Sequence, residues 1–336
     1  MNRILLLVIV SLCLALPAVG QSQVYHDTSS PSGGSTNTFP FGNSFGNNWR
    51  YHLSVPASSL PTMAVRFIDF AFAPTATGTF SVEDFQLRME HSTTHVLTSI
   101  FATNIGPCPI NMIDVQKGNY TFNATAATWT SLGATGSFGY DGQRALIIEI
   151  RYRGHGTMNQ GTTSIRSYTS STNSYRVWAN GSYPAPGPAD PYSAPYAYGV
   201  YTSGGIRVCL TYLTTNVLLA DDQVKVGAAA NLAVKSAPPG SVYVMAASLG
   251  QGPGLNLGPG CTVNLTMDAL FWTSLLVGGG TFSNYTGTVP ASGDFNATLN
   301  VPNIPALTGI CVYHACAFFG AAAPPSCSNT DSTIIL

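Results

Sequence analysis

Past its first twenty residues the chain holds no window in which apolar residues recur with a convincing helical period. Its apolar positions instead alternate, or run in short β-branched stretches closed off by Gly, Pro, Ser and Thr. That commits the chain to strands. Trp49 to Val55, 64–73, 81–90 and 145–153 are four such stretches. In Val65-Arg66-Phe67-Ile68-Asp69-Phe70, Val65, Phe67 and Asp69 share one face while Arg66, Ile68 and Phe70 share the other, so core lies on at least one side. The composition points the same way. Only 8% of residues are charged against 45% hydrophobic, with 34 Gly and 22 Pro. Helices keep their outer faces soluble with Lys, Glu and Arg, whereas pleated surfaces and turns can do so with Thr, Ser and Asn.

The first twenty residues read differently. Asn2-Arg3 is a short positive start, an apolar run from Ile4 to Leu16 is interrupted by Ser11 and Cys13, and Pro17-Ala18-Val19-Gly20 supplies small residues before Gln21. Residues 1–20 are thus expected to be a signal peptide, with a secreted or cell-surface mature chain that has no membrane span. Removing Arg3 leaves 12 basic against 14 acidic residues, a net charge of −2. No basic patch is available to hold phosphates, which sets nucleic acid aside as a partner.

Removing Cys13 leaves Cys108, Cys209, Cys261, Cys311, Cys316 and Cys327, an even set that in an exported chain points to three disulfides. One pairing is excluded. Gly309 to Phe318 reads as a single strand, which puts Cys311 and Cys316 about 16 Å apart on opposite faces. If pairing stays within domains, Cys108 joins Cys209, and Cys311 and Cys316 divide Cys261 and Cys327 between them. A closing hairpin favours Cys316–Cys327 and Cys261–Cys311.

Residues 21–48 are Ser-, Gly- and Asn-rich and read as an arm and loop. Residues 49–213 are expected to form a jelly-roll-like β-sandwich, and 214–336 a smaller, immunoglobulin-like one. The boundary falls before Asp221-Asp222 and the small-residue run Gly227-Ala228-Ala229-Ala230. The Pro- and Tyr-rich segment from Tyr183 to Tyr201 is expected to lie over a sheet rather than inside it. The clearest hairpin pairs 281–289 with 294–301 across Pro290-Ala291-Ser292-Gly293. The expected fold class is therefore all-β, two antiparallel sandwiches in series.

Several stretches carry a resemblance. Ser99-Ile100-Phe101-Ala102-Thr103-Asn104-Ile105-Gly106, Trp129 and Phe138-Gly139-Tyr140-Asp141-Gly142-Gln143-Arg144 resemble the amino-terminal sandwich of uncharacterised exported proteins of planctomycete-type bacteria. Tyr285-Thr286-Gly287-Thr288, Val301-Pro302-Asn303-Ile304-Pro305 and Val312-Tyr313 are similar to their carboxy-terminal module. The resemblance implies a fold and an exported, bacterial compartment; it brings no activity and no catalytic residue.

Candidate sites follow residue by residue. Gly42-Asn43-Ser44-Phe45-Gly46 matches the G-x-S-x-G pattern, but no strand precedes it and no helix follows, so it reads as a loop tip. His91 and His95 have the spacing of two ligands on a helix, which on a strand or turn places no metal. A glycosidase needs two facing carboxylates, and the only glutamates are Glu83, Glu90 and Glu149. Asp141-Gly142 reads as a turn, and Asp221-Asp222 is a calcium candidate at most. Trp49, Trp129, Trp178 and Trp272 lie in or beside strand signals and read as core. The sequons at Asn119, Asn123, Asn180, Asn264, Asn284 and Asn296 follow from a chain rich in Asn and Thr. The aromatic crowd that includes Tyr192, Tyr196 and Tyr198 offers flat rings for a ligand, and those three tyrosines are the candidate ligand-binding residues. No cofactor, metal ligand or catalytic residue is expected. The resulting expectation is an exported, non-enzymatic structural or adhesive β-protein whose partners are polysaccharide or other cell-surface proteins. A carbohydrate-binding module is the alternative, and a secreted hydrolase comes third.

Overall fold

The computed structural model describes residues 21–26, 29–37, 40–41, 48–155, 165–168, 175–180, 194–197, 199–201, 205–276, 280–321 and 323–336. The signal-peptide reading and the Gly42 to Gly46 motif lie outside them. The fold is all-β, and among the described residues pairing is antiparallel except where Gln223–Val224 lies parallel to Asp331–Ile335 and Phe138 bridges Thr330.

Among the described residues, a five-stranded sheet runs in the order Ser22–His26, Val208–Leu213, Val65–Phe72, Thr130–Ser131, with Phe138–Tyr140 also on Val65–Phe72. A seven-stranded sheet runs Gly199–Tyr201, Arg176–Asn180, Trp49–Val55, Ala145–His155, Gly78–Ser92, Ile110–Asp114, with Asn119–Ala124 also on Gly78–Ser92. A strict period of two loads their shared core: Trp49, Tyr51, Leu53 and Val55 point inward with Leu146, Ile148, Ile150 and Tyr152. Phe41, Phe72, Phe80 and Phe122 fill the centre, Phe80 and Phe122 stacked at 4.8 Å.

Residues beyond 214 form their own ladders. Val217–Ala220, Ala229–Lys235, Phe295–Asn300 and Phe282–Ser283 make a four-stranded sheet. Gln223–Val224, Asp331–Ile335, Cys311–Phe319, Val242–Ser248 and Thr286–Thr288 make most of a six-stranded one, and a core built on Leu232, Met245, Leu299 and Phe318 lies between the two. For brevity we call the sheets before and after residue 214 the amino and carboxy lobes.

Three expectations need correcting. The stretch 281–289 is not one arm of a hairpin: Phe282–Ser283 pairs with Phe295–Asn300, whereas Thr286–Thr288 crosses to Val242–Ser248 in the other sheet. The crossing is made at Asn284, whose φ of 57° bends the chain as a strand cannot. Second, an eight-residue helix, Ala269–Leu276, stands where no helical period was legible, because its sequence is apolar nearly all round. Its start is set by Asp268, whose carboxylate accepts from the Phe271 amide at 2.8 Å. Trp272 rides on that helix half-exposed, at 51%, rather than in a core.

The third correction concerns the cysteines. Cys108 is bonded to Cys311 and Cys261 to Cys327, while Cys209 and Cys316 are buried free thiols, so two bridges replace the expected three and none of the expected pairs forms. Alternation explains it. On Cys311–Phe319, Val312, Cys316 and Phe318 face the core between the sheets, while Ala315 and Ala317 face the opposite side, where Cys327 and Cys261 pack. Cys316 thus lies one residue from the register partner of Cys327 and still points away from it. Cys209 sits in the five-stranded sheet opposite Tyr25 and Ala71, whereas Cys108 leads into Ile110–Asp114 at the edge of the seven-stranded sheet. Cys311 and Cys316, on one continuous strand, do not pair.

Candidate functional site

The outer face of the seven-stranded sheet carries a line of charge that alternation generates and apolar neighbours then enclose. Arg50 and His52 alternate with the core residues of their strand, Gln86, Arg88 and Glu90 do the same on the next, and Glu149 stands opposite His52 on one side and Arg88 on the other. Glu149 is fully buried. Its Oε1 accepts from Arg50 Nε at 2.7 Å and from His52 Nε2 at 2.8 Å, and its Oε2 accepts from Arg88. Burial alone would push the Glu149 carboxyl up, but Arg88, His52 and Arg50 together outweigh it and hold the group well below the usual carboxylate range. Burial also lowers the pKa of His52, which therefore donates to Glu149 as a neutral imidazole with its Nδ1 left without a partner.

A short helix, Phe101–Ile105, closes this cluster from above. Phe101 packs edge-on to His52 at 4.6 Å and beneath the Arg50 guanidinium at 4.5 Å, and Arg50 also donates to the Ala194 carbonyl at 2.8 Å. Leu97, Ile105, Ile147 and Val177 complete the seal. An arrangement with its carboxylate saturated and buried holds elements together; it offers no approach to a substrate.

Glu90 lies on the same face two residues further along, where the carboxy lobe packs, and its surroundings are opposite in sign. Asp331 and Asp222 face it from across the junction. Burial first, then those two carboxylates, raise the Glu90 pKa well above its ordinary value. Burial likewise raises Asp331 to about 7 against the amides of Ala220 and Ser332 that it accepts, both at 2.8 Å. The main cation is Arg144, which donates to Asp141 at 2.5 Å and reaches across to Asp222. His91, buried against Phe138 at 4.8 Å, is lowered to about 4, chiefly by burial.

The junction is otherwise covalent and amide-mediated. The Cys108–Cys311 bridge crosses it with Cα atoms 5.8 Å apart, and Ser332 Oγ donates to the Cys108 carbonyl at 2.8 Å. Arg66 donates to the Cys327 carbonyl. Gln251 acts as a surrogate peptide: its Oε1 accepts from the Asn111 amide at 2.9 Å and its Nε2 donates to the Pro109 carbonyl at 3.0 Å. Asn264 Nδ2 donates to the Thr135 carbonyl at 3.1 Å. Beside these contacts lies a cleft of about 620 Å³ with walls from both lobes.

The structure places the sequence candidates as follows. Tyr192, Tyr198 and Tyr183 lie outside the described residues, while Tyr196 is 59% exposed and bridges Ile100 beside the lid over Glu149. His91 is buried at the junction, whereas His95 packs on Tyr175 at 5.5 Å. Among the described residues no group of three or more His, Cys, Asp or Glu could hold a metal ion. Asp221 accepts from the Asn231 amide at 2.7 Å, an ordinary turn bond, and Asp222 serves Arg144. Trp49 is core, and Trp129 donates to the Ser29 carbonyl at 3.1 Å. Sequence reasoning singled out neither Arg50, His52 and Arg88 nor Gln251. Opposite charges on alternate positions of otherwise apolar strands were the available signal for the first three; nothing local marked Gln251.

No protein-family model and no curated protein matches the chain. Among solved structures, a β-glucuronidase of Faecalibacterium prausnitzii is similar at 11% identity and a TM-score of 0.21, covering 95% of this chain and 46% of that one.

Proposed function

We propose that the protein is an exported, non-enzymatic structural or adhesive β-protein of the cell surface or extracellular matrix, engaging polysaccharide or other surface proteins. The observation that carries this reading is the Cys108–Cys311 bridge, which joins residues 203 apart and staples the two lobes. Both chain ends in the described structure lie in strands, Ser22–His26 and Asp331–Ile335. Tension between those ends therefore passes through the sulfurs and bypasses residues 109–310. Such a staple suits a load-bearing module in an oxidising compartment, and the second bridge, Cys261–Cys327, fits the same environment. No helix among the described residues is long and apolar enough to cross a membrane.

Deletion of the gene in the source cells tests the reading. Loss of envelope integrity or of cohesion under shear is expected, restored by the wild-type chain and not by Cys108→Ser with Cys311→Ser. Unchanged cohesion, or substrate turnover by the purified protein, would sink it. The alternative of a carbohydrate-binding module through the tyrosine segment has in its favour the exposed ring of Tyr196.

A further inference from the structure

The cleft at the junction is built in a way that selects one kind of ligand. Its wall carries a single ionisable side chain, Asp114, whose carboxylate already accepts amide N–H groups from Asn111 at 3.2 Å, from Gln116 at 3.0 Å and from Gln86. A metal ion would have to displace those donors, and no cation stands in the wall to attract a phosphate or uronate. The amides themselves are fixed by their nitrogens. Asn111 and Gln116 donate to Asp114, and Asn264 donates to Thr135, so each side chain leaves its carbonyl oxygen as an acceptor of set orientation. Thr262 joins them in the wall from the carboxy lobe. A wall of oriented acceptors interleaved with apolar surface of similar extent, and with no cation, suits a partner that is rich in O–H donors and uncharged.

An extended peptide is the competing occupant, because Ile110–Asp114 is the end strand of its sheet. That edge is already closed. Gln251 takes the Pro109 carbonyl and the Asn111 amide, while the Thr135 and Gly136 amides both donate to the Met112 carbonyl at 2.9 Å. The approach of Gly136 is so close that a Cβ there would meet the Asn111 carbonyl oxygen at 2.3 Å, so the glycine is what permits the edge to be capped. No row of free backbone groups remains for a peptide to pair with. The volume, about 620 Å³, falls within the range of small-ligand sites, and both lobes contribute wall.

We propose that this cleft binds a neutral carbohydrate, with Asn111, Gln116 and Asn264 accepting from its hydroxyls. The site rests on the cleft alone and not on the staple, so the outcome of the sugar titration and the outcome of opening the Cys108–Cys311 bridge are read separately. Isothermal titration of the oxidised full-length mature chain with cellohexaose, maltohexaose, chitohexaose and mannohexaose tests it, beside polygalacturonate, spermidine and an uncharged extended peptide. Saturable binding of at least one neutral oligosaccharide is expected, weakened tenfold or more by Asn264→Ala and by Thr262→Ala, and unchanged by Tyr196→Ala. Should Asn264→Ala disturb the junction, Gln116→Ala is read in its place, with melting curves checking the fold. Heat from none of the four sugars, binding of the charged or peptide probes alone, or sugar binding that Tyr196→Ala abolishes and the cleft variants spare, would each overturn the assignment.

Discussion

Glu149 and Glu90 lie on one face of one sheet, their strands adjacent, and they have been given opposite company. Glu149 receives two guanidinium groups and an imidazole inside a seal of apolar side chains; Glu90 receives Asp331 and Asp222 across the junction, with Arg144 as the main cation between them. The first carboxylate is charged and paid for in full. The second has its pKa raised instead. A buried ionised group is tolerated only with partners, whereas a group that can neutralise itself may be placed against like charge at modest cost. The lesson is that burial alone does not determine what a carboxylate contributes: the same residue type, on the same sheet face, locks the amino lobe internally and leaves the contact between lobes sensitive to pH.

The largest expected effect follows from removing the well-partnered group. Glu149→Gln leaves Arg50 and Arg88 with uncompensated charge in an enclosed cluster, at a cost of about 3–5 kcal/mol. Urea unfolding checks it through a lower midpoint at unchanged slope. A loss below about 1 kcal/mol would mean that the cluster is open to water and that the contrast with Glu90 is not one of burial.

Next come the two bridges, which sharpen the comparison between the junction and a lobe interior. Opening Cys108–Cys311 by double substitution to Ser is expected to cost about 2–4 kcal/mol through the freedom restored to the unfolded chain. Because its sequence separation is 203 against 66 for Cys261–Cys327, the chain-entropy argument makes it the stronger by about 1 kcal/mol. Mass spectrometry of a non-reduced digest must first show both linkages, with Cys209 and Cys316 labelled only after unfolding. The protection of these thiols has a physical basis: burial raises Cys209 to about 11 and pushes Cys316 up further. If the shorter loop proves the more stabilising, the junction is held by its hydrogen bonds rather than by its sulfurs.

Why some of this was legible in the sequence and some was not comes down to range. The class was legible because a period of two is a local property: Trp49–Val55 and Val65–Phe72 declare their two faces within eight residues. That Cys311 and Cys316 could not pair was legible for the same reason. What failed needed knowledge of partners. Cys108 could be assigned to Cys311 only by knowing that an edge strand of one lobe meets a central strand of the other, and the assumption of pairing within domains hid it. The break at Asn284 is a change of sheet, invisible to a pattern that is apolar on both sides of it. Gln251 gains its role entirely from standing beside Asn111 and Pro109, 140 and 142 residues away. Tyr196, a candidate ligand-binding residue by sequence, has an exposed ring, and exposure on its own assigns no ligand.

The smallest expected effect is also the one that most directly breaks or confirms the comparison, because its sign is reversed. The folded pKa of Glu90 is raised, and that of Asp331 stands near 7, so the folded state holds protons that the unfolded chain has released from about pH 4 upward. The Asp331 contribution is therefore fully present below the unfolded carboxylate range and is lost as pH rises through about 7, and that of Glu90 is lost as pH rises through its own raised pKa. Glu149 runs the other way: its lowered pKa contributes stability above the unfolded value that is lost as the solution is acidified. His91, lowered to about 4, also loses stability toward acid, so the raw profile mixes signs and the difference between variants must be read. Arg144, Arg88, Asp141 and Asp222 complete the charges around the junction. Glu90→Gln removes a carboxyl that no hydrogen bond holds and is expected to raise Tm by about 1–3 °C at pH 8 while changing it little at pH 4.5. Melting curves at the two values decide the matter. A destabilisation at pH 8 would show that Glu90 is a partnered anion after all, and the contrast between the two carboxylates would collapse into one of degree.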